Sequence, residues 1–233
     1  GKKLEAGNLK QAICTVNRKR EALQRLNSLR KADPSPISGL DALLIEQIAF
    51  FDDPHRFTGN LHTLCDELED RNADGQKGRA KDKRRIIISG CPMAIPNWKL
   101  PQIIESSGAV VVGEESCVGE RGARWMTDVA GKSVEELMTC IAERYFKIDC
   151  AIFTPNPSRL EFIKEMARSR AADGVIHYSL QFCQPYQIES ASVEQSLEKA
   201  GIPVLRIETD YSREDTGQIQ TRVEAFLEMV KRT

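Results

Sequence analysis

The sequence predicts an α/β fold: a parallel sheet covered by helices, preceded by an all-helical segment. Two observations carry this. From Ile86 onward, short β-branched runs alternate with longer amphipathic stretches, as in a parallel sheet with crossover helices. Before that point, apolar residues recur only at helical spacing.

The elements follow in order. Over residues 4–31, Leu9, Ala12, Ile13, Val16, Leu23, Leu26 and Leu29 lie on one helical stripe, which the prolines at 34 and 36 end. Ser38 is placed to cap a second helix through Asp41, Leu44, Ile45, Ile48 and Phe51, and Asp52-Asp-Pro54 closes it. A third helix is predicted over 57–68, with Leu61, Leu64 and Leu68 aligned. Residues 71–85 are polar, aperiodic and glycine-bearing, which predicts a linker. The expected division is a helical segment at 1–75, a linker at 76–84 and an α/β domain at 85–233. Strands are predicted at 85–90, 109–113, 149–153, 174–180 and 203–207. Helices are predicted at 97–107, 133–146, 157–171, 188–200 and 216–231. Ser133 and Glu136 form a capping box, and Gly108 and Gly201 stand where helices should end before a strand. The arrangement is Rossmann-like, of the flavodoxin-like kind.

The 233 residues carry a formal charge of −1, with no basic field to bind nucleic acid. No apolar run approaches the ~20 residues of a membrane helix, and no leader pattern opens the chain. A soluble, cytoplasmic protein is expected. The chain opens on Gly-Lys-Lys without Met, straight into a helical pattern, so it is expected to be part of a longer polypeptide.

Seven cysteines, an odd number, do not make a disulfide framework in a chain of this size. The absence of CxxC and HExxH patterns weakens thioredoxin-like and zinc readings. Cys14, Cys65 and Cys140 fall inside predicted helices and read as packing residues. Cys91, Cys117, Cys150 and Cys183 recur about one βα unit apart, each where a strand should hand over to a loop. Parallel strands deliver such positions to one edge, where open α/β sheets bind ligands. A structural zinc site uses close cysteine pairs, whereas ligands one βα unit apart enclose a polynuclear centre, so an iron–sulfur cluster fits best. Tyr178 and Gln181 are candidates for contacts around it. His177 reads as a strand histidine, and Asn97 and Trp98 as packing. Glu114 and Glu115 read as solvated loop carboxylates rather than an acid/base pair. Arg121 and Arg124 read either as solvated or as anchors for an anionic ligand or a partner.

Several stretches resemble a known family. Ser89-Gly-Cys-Pro-Met-Ala-Ile-Pro-Asn-Trp98, Glu114-Glu-Ser-Cys-Val-Gly119, Ala172-Asp-Gly-Val-Ile176 and Gln181-Phe-Cys183 resemble the 2-hydroxyacyl-CoA dehydratase and benzoyl-CoA reductase superfamily. So do Gly201-Ile-Pro203, Glu208-Thr-Asp-Tyr-Ser212, Thr221-Arg-Val-Glu-Ala-Phe226 and, in the helical part, Pro36-Ile-Ser-Gly39. The likeness is to the dehydratase D-component, and within it to the double-cubane cluster protein branch. That resemblance implies a double-cubane (8Fe-9S) iron–sulfur cluster, four of whose six cysteines match Cys91, Cys117, Cys150 and Cys183. The other two belong to an N-terminal domain, so this chain looks like the C-terminal part. Ordinary dehydratase subunits of the family hold one 4Fe-4S cubane on three cysteines, one of which matches Cys183. The resemblance further implies a homodimer in an anaerobic cytoplasm and an ATP-hydrolysing iron–sulfur activator protein as electron donor. ATP is assigned to that partner, because no P-loop is present here. The implied substrate is a CoA thioester, reduced to a ketyl radical before hydroxide leaves, or a small unsaturated molecule. A non-catalytic electron-transfer or scaffold protein is the alternative from another class.

Overall fold

A computed structural model describes residues 3–73 and 83–230. The predicted linker falls mostly outside the described residues, and its last residue, Arg84, already opens a strand. The first part holds helices α1 (Ala6–Leu29), α2 (Gly39–Ile48) and α3 (Pro54–Ala73). Ala22, Leu23 and Leu26 of α1 pack with Phe57, Leu61, Cys65 and Leu68 of α3. Ser38 caps α2 as predicted, accepting from the Asp41 amide at 3.0 Å. Helix α3 is longer than predicted at both ends. Proline fits a first helical turn, and the Asp53 carboxylate accepts from the amides of His55 and Arg56.

The second part comprises β1 (Arg84–Gly90), α4 (Lys99–Ser106), β2 (Ala109–Glu115), α5 (Glu120–Ala123), α6 (Val134–Phe146) and α7 (Pro157–Ser169), then β3 (Gly174–Leu180), α8 (Gln184–Lys199), β4 (Val204–Thr209) and α9 (Thr216–Met229). Four parallel strands lie in the order β2-β1-β3-β4. Ile86, Ile88, Ile176 and Ile207 face α4 and α9, whereas Ile87, Val112 and Val175 face α7 and α8. No helix among the described residues is long and apolar enough to cross a membrane.

Residues 149–153 do not form the strand predicted there. The Cys150 amide donates to Ile148 O and that of Phe153 to Cys150 O, closing turns, and Ile152 and Phe153 are exposed. An apolar run of this length lacks the partner that would make it a strand. Helix α8 starts at Gln184 rather than at 188, because Pro185 is accommodated in its first turn.

The free edge of β2 is closed by side chains. The register slips between Ile86 and Ile87, so Val112 is an extra residue opposite β1. Arg170 donates to the Val112 carbonyl. Arg30, the C-cap residue of α1, donates to the Val111 carbonyl at 3.1 Å, while Glu105 accepts from the Val111 amide at 3.3 Å and the Gly39 amide at 2.7 Å. A Cβ on Gly39 would stand 2.3 Å from that of Val111, so only glycine lets α2 approach β2 this closely.

Behind this edge lie the buried carboxyls Glu46 and Glu114 and the half-buried Glu120, with the buried cations Arg30 and Arg170. Burial pushes Glu46 up to about 8 and Glu114 up to about 7, their mutual repulsion adding to Glu46 while Arg30 opposes it. Carboxyls raised in the folded state stabilise it fully only below their ordinary range. Stability is therefore expected to fall as pH rises from about 4.5 to about 8. Glu46→Gln, which keeps an acceptor for the Asn27 amide, should flatten this slope in urea titrations. It should also make the protein more stable than wild type, by about 1 kcal/mol or more above the folded-state pKa. An unchanged slope would show that Glu46 is charged throughout.

Candidate functional site

The fold itself selects a crevice. From β1 the chain crosses by α4 on one face to β2, and from β3 it crosses by α8 on the other face to β4. The strand order reverses between β1 and β3, and ligands of open α/β sheets bind outside the carboxyl ends at such a point. Cys91 follows β1 immediately, and Cys183 follows β3 as the N-cap residue of α8. The two thiols flank the crevice. Cys183, half-buried, packs against the core cluster that contains Cys91.

Backbone geometry fixes Cys91. Gly90 sits at φ +129°, which brings the Cys91 amide to Tyr178 O at 2.9 Å. The Leu180 amide, at the end of β3, donates to Cys91 Sγ at 3.4 Å. Burial pushes the Cys91 thiol up to about 12, against the pull of that N–H. On the other side of the crevice, Phe182 is in the left-handed region at φ 65°, the residue 91% exposed. Strain of this kind recurs where a chain must aim a neighbouring group. The turn directs Cys183 to the positive end of α8.

Cys117 lies two residues past β2, at the carboxyl end of the strand beside β1, as predicted. Cys150 is at no strand end, yet its turn is tied to the same edge. Buried Arg121 donates to the neighbouring Asp149 carbonyl at 2.6 Å, and Arg124 pairs with the Asp149 carboxylate at 2.8 Å. Among the described residues, no three His, Cys, Asp or Glu side chains stand together as a metal-holding group. What meets is the Cys91–Cys183 pair, with Cys117 and Cys150 on loops of the same rim. Clustered thiols, one of them receiving a backbone N–H, are the donor type an iron–sulfur centre uses, so Cys91 and Cys183 fit two of its ligand positions.

Beneath the rim runs a network that the sequence did not reveal. Glu115, expected in a solvated loop, is buried at the end of β2, and so is Glu114, because β2 runs two residues further than predicted. Arg159 of α7, fully buried, donates to both Glu115 oxygens and to Ser89 Oγ, and pairs with Glu189 of α8. Arg121 pairs with Glu115 at 3.3 Å and donates to Tyr186 Oη at 2.5 Å. These two cations hold Glu115 below the usual carboxylate range against its burial. A glutamate at a strand's end and an arginine in a helix's first turn were the available signals. Neither names its partner.

On the α4 face, Tyr178 is buried and accepts at Oη from the Asn97 amide at 2.7 Å. Trp98 donates to Gln47 of α2 at 2.9 Å. Asn97 also lines a cleft of about 370 Å³ with Trp98, Gln102, Tyr211 and Arg213. Tyr178 thus stands next to Cys91, whose amide its carbonyl receives, whereas Gln181 is exposed. His177 points to the opposite face, where burial and Arg159 lower it to about 4 and keep it neutral.

A family model described as 2-hydroxyglutaryl-CoA dehydratase, D-component, matches residues 1–230. YjiM of Escherichia coli (strain K12), whose name proposes a dehydratase subunit, is 32% identical over 99% of this chain and 59% of its own length. The (R)-phenyllactyl-CoA dehydratase beta subunit of Clostridium sporogenes is 26% identical over 98% of this chain and 58% of its own. The (R)-2-hydroxyglutaryl-CoA dehydratase subunit beta of Acidaminococcus fermentans is 24% identical over 93% of this chain and 56% of its own. The chain spans under three-fifths of the length of each of these relatives.

Proposed function

The chain belongs to the 2-hydroxyglutaryl-CoA dehydratase D-component family, and from that premise we propose that it is the cluster-bearing part of a low-potential iron–sulfur reductase component. Cys91, Cys117, Cys150 and Cys183 are the proposed thiolate ligands, and a double cubane is the proposed cluster. The observation that carries this is that Cys91 and Cys183 follow the two central strands and pack in one cluster at the topological switch point. When bound, the cluster supplies one-electron transfer at low potential. The chain's own residues do the rest. The Leu180 N–H stabilises charge on the Cys91 sulfur, burial keeps water from it, and the Asn97–Tyr178 bond holds the start of α4 beside it. An ATP-hydrolysing activator is the proposed electron donor, and a CoA thioester or small unsaturated molecule the proposed acceptor. A cytoplasmic homodimer is the proposed assembly.

The names of the relatives favour a second reading, a 2-hydroxyacyl-CoA dehydratase subunit with a single four-iron cubane. Iron and acid-labile sulfide per chain separate the two, on the natural polypeptide purified without oxygen. About eight irons are expected for the double cubane and about four for the single one. Cys183→Ser should lower the iron content, whereas Cys140→Ser, on helix α6, should leave it unchanged. Iron-free wild type would overturn both readings.

A further inference from the structure

We propose that Arg121 is the positioning residue that clasps three of the four thiol-bearing segments together at the sheet edge. This rests on the reading of that edge as a thiolate site. Arg121 stands on the short helix α5, one helical turn after Cys117. It is 1% exposed, and its guanidinium engages three elements at once. Nη1 donates to the carbonyl of Asp149, the residue before Cys150, at 2.6 Å. Nη2 donates to the hydroxyl of Tyr186, three residues after Cys183, at 2.5 Å. Nη1 also stands 3.3 Å from the carboxylate of Glu115, two residues before Cys117. The guanidinium carbon lies 5.8 Å from the centre of the Tyr186 ring. One side chain thus ties the loop after β2, the turn after α6 and the first turn of α8 to a common point.

The chemistry favours arginine here. Three acceptors in three directions suit a planar fork with fixed N–H vectors, and an ammonium on a flexible stem meets them less well. A buried cation is costly unless paired, and Glu115 supplies the pairing. Cys91 is held differently, by the backbone bond to Tyr178 O and the Leu180 N–H. That difference makes the clasp testable.

The experiment follows alkylation by iodoacetamide at each cysteine, by peptide mass spectrometry, in the natural polypeptide purified without oxygen and stripped with a chelator. In Arg121→Met, Cys117, Cys150 and Cys183 should react about tenfold faster, the effect on local opening of roughly one lost hydrogen bond. Cys91 and the buried Cys65 should keep their wild-type rates. Arg121→Lys should recover part of the protection. The milder Tyr186→Phe removes only the hydroxyl and should expose Cys183 alone, so it decides the matter if Arg121→Met does not fold. Unchanged rates at all three thiols, or an equal rise at all seven, would overturn the clasp. Iron content of the wild type is read separately. Its absence would remove the cluster reading and leave the alkylation result standing.

Discussion

Gly90→Ala is expected to leave little folded protein. A Cβ at this position would stand 1.9 Å from the Tyr178 carbonyl oxygen, which is backbone in the middle of the sheet and has nowhere to move. The residue also holds φ +129°, outside the range of L side chains. Strain, overpacking and loss of the Cys91 N–H bond each contribute, together roughly 4 kcal/mol or more, against a typical total stability of about 5–15. Soluble yield and urea midpoint are the measurements. Gly108→Ala is the matched control, also at positive φ but with open space around it, and should cost only about 1 kcal/mol. Equal behaviour of the two variants would show that conformation, not the contact with β3, sets the requirement.

Arg159→Met is expected to be the most damaging change to the interior away from that turn. The guanidinium is fully buried and serves Glu115, Ser89 and Glu189, so its loss takes the cation from buried Glu189 and leaves Glu115 to Arg121 alone. Removing one partner of such a pair costs about 3–5 kcal/mol. Glu115→Gln added to Arg159→Met should return part of that, because a neutral amide no longer needs the cation. A double-mutant cycle in urea should report a coupling of roughly 1–3 kcal/mol. A cost below about 1 kcal/mol for the single change would mean that water reaches the network and solvates the carboxylates.

The elements built from β-branched runs were legible. Ile86–Ile88, Val110–Val112 and Val175–Ile176 became strands because both faces of the sheet are covered, so each run could be apolar throughout. The edge position of Cys91, Cys117 and Cys183 followed from those strands. The run at 151–153 was equally apolar, but it pairs with no strand of the sheet. It closed as a turn. Least legible was the charge in the interior. Nothing in the sequence marked Arg30, Arg159 and Arg170 as buried, since a charged side chain is seldom buried without a partner and the partners lie far away in sequence. Arg121 and Arg124 were open between solvent and ligand, and the structure gives both to the protein itself.

The free edge of β2 bears on how the molecule avoids itself. Val111 has its amide held by Glu105 and its carbonyl by Arg30, so that side of the sheet presents no open ladder to a second chain. The guard is not local, because Arg30 arrives on α1 and α2 covers the strand from Gly39. Until those helices dock on the sheet, the edge is exposed. Concentrated refolding should therefore aggregate through β2 in proportion to the time α1 stays undocked, while the finished protein, whose last strand ends in side chains instead of a fifth strand, stays dispersed on that side.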